Sequence, residues 1–186
     1  MNNDINNGEN QWDNVFASYP SAQRLQRYRS TKKIVTFNKV LGVDLDGRDP
    51  KATDYCGCGN CQPMNSPVEA FCCAEILQAS TSAAENYTKF SYDSCLCENE
   101  TIKNVVENLT ELKLFIDTCK WLGNQEDEEI DLLTKNYRFA LYKKLTLLIH
   151  GPKQANERLP LPSCLVSFVR STYPDEDEEY VGFLDY

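Results

Sequence analysis

The feature that most constrains this chain is a run of three cysteines within six residues, Cys56-Gly57-Cys58-Gly59-Asn60-Cys61. Glycine and asparagine tolerate positive φ angles, so this run predicts a tight turn that aims its thiols to one side. A second pair, Cys72-Cys73, follows soon after. Such spacing is typical of zinc sites, because Zn²⁺ prefers soft thiolates held close together in sequence. We therefore predict that Cys56, Cys58, Cys61, Cys72 and Cys73 bind zinc.

The cellular compartment follows from the cysteine count and the N-terminus. The chain has nine cysteines, and its first residues, Met1 to Gly8, are polar where a signal peptide would be apolar. We expect a cytoplasmic or nuclear protein, in which clustered thiols bind metal more often than they pair as disulfides. No run of about 20 apolar residues occurs, so no membrane span is predicted.

Charge limits the class of partner. The chain carries 19 basic and 28 acidic side chains, a net charge of −9. A nucleic-acid binder needs Lys and Arg to neutralise phosphates, so no nucleic-acid partner is expected. An acidic membrane surface would repel the chain for the same reason.

Two kinds of enzyme compete with a structural metal site. Cys58-Gly59-Asn60-Cys61 has the spacing of a thioredoxin-type redox motif, but no parallel-sheet pattern surrounds it. A catalytic zinc site uses histidine or carboxylate ligands, and the only histidine, His150, stands at the end of a predicted helix, where it is expected to act as a cap. No Walker, Rossmann or nucleophile-elbow motif is present. We therefore predict a protein that is not an enzyme.

The domain organisation is read from composition and hydrophobic period. Residues 1–51 are polar and are predicted to be a disordered extension or linker, with one possible strand at residues 34–37. Residues 52–186 are predicted to form a compact, mostly α-helical, zinc-stapled domain. Its expected elements are a helix after Pro67 that carries Cys72-Cys73, a polar loop over residues 79–94, and helices over residues 101–123, 126–150 and 164–171, the last capped by Ser163.

Six motifs, in order, resemble one known family. They are Cys56 to Cys61, Cys72-Cys73, Tyr137 to Lys143, Leu161 to Cys164, Phe168 to Pro174 and Tyr180 to Phe183. In this order they are similar to the large cytoplasmic C-terminal domain, the ballast, of the seventh-subtype P2X purinoceptor and its stand-alone relatives. The resemblance covers about residues 55–186. The membrane-spanning channel of that receptor has no counterpart in this chain.

The resemblance implies a helical fold that holds two zinc ions through seven thiolates. Cys56, Cys58, Cys61, Cys72, Cys73 and Cys164 match the family ligands, and Cys58 is the expected bridge between the ions. The seventh ligand is left open between Cys95 and Cys97. Of the two, we predict that Cys95 is the ligand.

The resemblance also implies a guanine-nucleotide pocket in the receptor. Arg138 and Tyr142 match residues near that nucleotide, while Val166 and Asp175 stand where the receptor has basic side chains. Losing positive charge works against binding a polyphosphate. The leading prediction is therefore a regulatory module that contacts a protein partner, and the alternative is a purine-nucleotide receptor that uses Arg138 and Tyr142.

Overall fold

The computed structural model describes residues 37–90, 94–122, 134–151, 159–175 and 180, and of residues 119–122 it describes the backbone only. The described part is helical and contains no strand, which confirms the predicted mostly α class. The helices are α1 (Phe37–Leu41), α2 (Cys73–Leu77), α3 (Ser82–Tyr87), α4 (Glu100–Glu107), α5 (Leu109–Leu122), α6 (Thr134–His150) and α7 (Ser163–Thr172), with 3-10 turns at Pro67–Glu69 and Leu96–Glu98.

Helix α6 lies at the centre of the fold, in contact with α3, α4, α5 and α7. Its buried Leu141, Leu145 and Ile149 recur every four residues, a spacing that places side chains on one face of a helix. His150 ends this helix as predicted, but its side chain is buried, with its ring centroid 5.6 Å from that of Tyr87. Its ring packs against α3, a contact that the predicted capping role did not include.

The predicted single helix over residues 101–123 is divided in two at Asn108. The backbone N–H of Asn108 closes α4 by donating to Asn104, and its side-chain oxygen accepts from Glu111 N at 3.1 Å to cap α5. Asparagine competes for backbone hydrogen bonds in this way, so it ends one helix and starts the next. The hydrophobic period continues across this break, which is why the sequence predicted a single helix. The side chain of Cys119, predicted to lie in the core, falls outside the described residues.

The predicted polar loop over residues 79–94 contains a helix instead. Thr81 caps α3 by accepting a hydrogen bond from Ala84 N at 3.3 Å. Ala83, Ala84 and Tyr87 then point into the core, and Tyr87 is fully buried. Three apolar positions among small and polar residues produce this helix, too few for a clear period.

The predicted boundary of the extension is wrong for residues 37–51. Phe37, Leu41, Val43 and Leu45 are buried in the same core as the cysteines. Phe37 begins a helix rather than ending a strand, and Gly42 ends it with φ +71°. A Cβ at Gly42 would come within 2.5 Å of Ala79 Cβ, so glycine lets the chain pass close to the core. Residues 1–36 lie outside the described residues.

Candidate metal centre

The cysteine knuckle forms the predicted turn. Gly59 has φ +80°, which lets the chain reverse so that Cys61 Sγ lies 3.8 Å from Cys58 Sγ. Cys56 Sγ lies 4.0 Å from Cys58 Sγ and accepts a hydrogen bond from Cys61 N at 3.4 Å. A backbone N–H aimed at a sulfur stabilises negative charge on it. The knuckle therefore presents three sulfurs to one side.

The Cys72-Cys73 pair lies at the start of α2. Cys72 is the N-cap: its Sγ accepts from Ala74 N at 3.4 Å, and Glu75 Oε2 accepts from Cys72 N at 2.8 Å, a capping box. Arg48 holds Glu75 through two hydrogen bonds, of 2.9 and 2.5 Å. This chain of contacts fixes the direction of the Cys72 thiol, since a bidentate guanidinium leaves the carboxylate little freedom.

The remaining two sulfurs come from distant segments. Cys95 precedes the 3-10 turn Leu96–Glu98, and Cys164 lies in the first turn of α7. Cys73 Sγ lies 3.9 Å from Cys95 Sγ. Helix α7 does not begin as predicted: Pro162 is its N-cap and Ser163 its first residue, and the Ser163 hydroxyl donates to the Phe71 carbonyl at 3.2 Å instead of capping the helix.

The seven sulfurs form two groups of four that share one member. One group is Cys56, Cys58, Cys61 and Cys72, and the other is Cys58, Cys73, Cys95 and Cys164, with all sulfurs of a group within 4.8 Å of one another. Cys58 thus occupies the position expected of a bridging ligand. Cys95 belongs to the second group and Cys97 to neither, so the geometry favours Cys95 as the seventh residue.

The spacing of the sulfurs suits a metal. Four thiolates about 2.3 Å from a tetrahedral zinc have sulfurs about 3.8 Å apart, whereas a disulfide brings them to about 2.05 Å. The three separations given above lie between 3.8 and 4.0 Å. None of the eight cysteines whose side chains are described is in a disulfide. The two groups could therefore each hold a metal ion.

Without a metal, the thiols share protons unevenly. Hydrogen bonding from Cys164 lowers the pKa of Cys58 and of Cys95, while its hydrogen bond to Cys58 raises the pKa of Cys164 itself. The physical cause is crowding, because neighbouring thiolates repel one another and one thiol of a pair keeps its proton. A divalent cation in each group would remove this conflict and let all seven thiols ionise.

The two predicted nucleotide-binding residues lie at another part of the molecule. Arg138 is buried and donates to the Tyr173 carbonyl at 2.9 Å and to the Asp175 carboxylate. Its guanidinium also lies 5.3 Å from the ring centroid of Tyr180. Tyr142 is partly buried, and desolvation raises its pKa. Arg138 therefore bonds to groups of this chain itself. The Asp175 carboxylate occupies the place beside the guanidinium that a phosphate of a bound nucleotide would need.

Sequence reasoning missed the residues that hold the cysteines in place. Arg48 fell in the predicted extension, although a glutamate three residues after Cys72 was a visible sign of a capping box. Asn60 was read only as a turn residue, yet its amide donates to Glu98 at 3.2 Å and ties the knuckle to the Leu96–Glu98 turn. That contact crosses 38 residues, so no local pattern could reveal it.

Comparison with known proteins identifies one family. The model of the P2X purinoreceptor 7 intracellular domain matches residues 4–184 of this chain. No curated protein sequence matches it. Within the part of the chain that the structure describes, no helix has the length and apolar character needed to cross a membrane.

Proposed function

Because the chain belongs to the family of P2X purinoreceptor 7 intracellular domains, we propose that it is a non-catalytic module that binds two zinc ions and acts by contacting other proteins. The observation that carries the proposal is the sharing of Cys58 by two four-sulfur groups. Two tetrahedral ions offer eight ligand positions, and seven thiolates fill them when one sulfur bridges.

The donor set favours a structural role for the metal. Each group has four sulfurs and neither includes a histidine or carboxylate, so no ligand position is left for water or substrate. Cys61, Cys72, Cys73, Cys95 and Cys164 are also buried. Bound zinc supplies charge neutralisation and a cross-link without redox chemistry of its own.

The chain's own residues explain why such a cross-link would stabilise the fold. The sulfurs come from the knuckle, from the start of α2, from the turn at Leu96–Glu98 and from α7. Among the described residues, a backbone hydrogen bond from Ser163 to Phe71 joins two of these segments. In zinc-finger peptides metal binding contributes roughly 10 to 16 kcal/mol, comparable with the stability of a whole domain.

The interaction role follows from the helical surface. Leu114 on α5 is 65% exposed and Phe139 on α6 is 41% exposed, and both helices also carry buried apolar side chains. A contiguous exposed apolar patch marks a contact site for a protein partner, and we propose that these side chains contribute to one. A cytoplasmic location accords with a family named for an intracellular domain.

Metal analysis of the purified chain tests the proposal. We expect about two zinc ions per chain by mass spectrometry of the metal content, and loss of the helical circular dichroism signal when a strong chelator removes them. Cys97→Ser is the matched control and should keep both ions, because Cys97 belongs to neither group. A chain that is metal-free as purified, or that stays folded after chelation, would overturn the proposal.

A further inference from the structure

Cys97 is a thiol that the two four-sulfur groups leave out, although it lies against one of them. Its Sγ is 3.1 Å from Cys95 Sγ, closer than the 3.8 Å between Cys58 and Cys61 inside a group. Cys97 is half-buried, whereas Cys95 is buried. Of this pair, the thiol outside the metal groups is therefore the one that a small solute can reach.

The local backbone brings these two sulfurs together and holds them there. Cys95 is the N-cap of the 3-10 turn Leu96–Glu98, in which Cys97 is the middle residue. Leu96, between them, is fully buried and anchors the turn in the core. Glu98 accepts the hydrogen bond from Asn60, which keeps the turn against the knuckle. A disulfide would require the sulfurs to approach by only about 1 Å.

We propose that Cys97 is an oxidative modification site, at which a hydroperoxide produces a Cys95–Cys97 disulfide and so removes Cys95 from the second four-sulfur group. This rests on the proposed function, because Cys95 must be a metal ligand for its loss to release zinc. The inference concerns regulation of the same site.

The reaction balances with a hydroperoxide as the oxidant. The Cys97 thiol gives up its proton as its sulfur attacks the peroxide, the O–O bond breaks, the leaving oxygen takes that proton and departs as water, and Cys97 becomes a sulfenic acid. Cys95 thiolate then attacks the Cys97 sulfur, the S–S bond forms and hydroxide leaves. In total one thiol, one thiolate and one hydrogen peroxide give one disulfide, one water and one hydroxide. The two sulfurs lose two electrons to the peroxide.

The disulfide would affect one ion before the other. The second group keeps Cys58, Cys73 and Cys164, three sulfurs where a closed structural site needs four. The first group contains neither Cys95 nor Cys97 and keeps all its members. Oxidation is therefore expected to release one of the two ions first, and a thiol reductant should restore the site.

The test treats the zinc-loaded full chain with hydrogen peroxide, follows zinc with a chromophoric chelator, and maps disulfides by peptide mass spectrometry. We expect a peptide with a Cys95–Cys97 bond to appear together with one equivalent of zinc, and both changes to reverse with dithiothreitol. In Cys97→Ser, release should be about tenfold slower, since no neighbouring thiol resolves the oxidised sulfur.

Controls separate this inference from the proposed function. Cys97→Ser must begin with the wild-type zinc content; one ion fewer would make Cys97 a ligand and overturn the inference. Zinc release at equal rates in wild type and Cys97→Ser, or a disulfide between other cysteines, would also overturn it. If the wild type carries no zinc, the proposed function fails, and the inference fails with it, because no ion then depends on Cys95.

Discussion

The backbone N–H of Ser163 donates a 2.9 Å hydrogen bond to the carbonyl of Phe71. Each of these residues directly precedes a cysteine of the four-sulfur groups, so the bond places Cys164 beside the Cys72-Cys73 pair. The Ser163 hydroxyl donates to the same carbonyl at 3.2 Å, and Tyr55 lies 3.4 Å from that hydroxyl. One fully buried serine thus joins α7, the start of α2 and the approach to the knuckle.

Ser163→Ala should lower the free energy of unfolding by about 1 to 2 kcal/mol, because it removes a buried hydroxyl bond and leaves Tyr55 without an acceptor. Urea unfolding of the zinc-loaded protein measures the change. Ser171→Ala is the control, since Ser171 is exposed and bonds only within its own helix. Equal unfolding midpoints for the two variants would contradict this role of Ser163.

Cys58→Ser should cost more stability than Cys56→Ser. Both side chains are half-buried on the knuckle, but Cys58 belongs to both sulfur groups and Cys56 to one. We expect Cys58→Ser to retain almost no zinc and to melt well below Cys56→Ser, which loses a ligand of the first group alone. Thermal unfolding with parallel metal analysis distinguishes the two. Indistinguishable melting temperatures would remove Cys58 from the bridging position.

Zinc affinity should fall as pH falls. The pKa of Cys164 is raised above its usual range by its hydrogen bond to Cys58. A raised pKa means that the metal-free domain holds the Cys164 proton through neutral pH, so zinc must displace it. For each proton displaced, affinity decreases about tenfold per pH unit. Chelator competition at pH 8, 7 and 6 measures this slope; a pH-independent affinity would contradict it.

Guanosine diphosphate should bind no more tightly than about millimolar. Arg138, the cation predicted to meet a phosphate, is 6% exposed and already paired with Asp175. The phosphates would have to displace a carboxylate held by a buried guanidinium. Calorimetry should show no binding to the wild type and measurable binding to Asp175→Asn. Micromolar affinity in the wild type that disappears in Arg138→Ala would move the protein to the nucleotide-receptor class.

Tyr87→Phe should leave stability unchanged or raise it by about 1 kcal/mol at neutral pH, because the hydroxyl of this fully buried residue has no hydrogen-bond partner among the described groups. Burial raises the pKa of Tyr87 well above its usual value. The folded state therefore favours the protonated hydroxyl of Tyr87. The stability that the protonated form provides is lost as pH rises above about 10. Melting of both proteins at neutral and alkaline pH should show a growing advantage for phenylalanine. A loss of more than about 1 kcal/mol at neutral pH would reveal a partner for the hydroxyl.

Local chemistry explains what could be predicted from the sequence. The knuckle was visible because Gly59 and its cysteines lie within six residues, and the helical class was visible in the period of α6. The role of Arg48 could not be predicted, since its partner Glu75 is 27 residues away in the sequence. The break at Asn108 was missed because side-chain capping competes with an apolar period that continues through it. The choice between Cys95 and Cys97 depended on tertiary packing. The two cysteines are only two residues apart, so either one fits the sequence spacing expected of the seventh ligand.

The position of Cys164 would give the proposed zinc centre an order of assembly. Cys56, Cys58, Cys61 and Cys72 leave the ribosome within a short interval, so the first group can assemble while synthesis continues. The second group needs a sulfur from α7, the last described helix, and stays incomplete until that segment emerges. A truncated chain that ends before residue 164 would therefore have all four sulfurs of the first group but an incomplete second group. Quality-control proteases are suited to remove such a partly folded product.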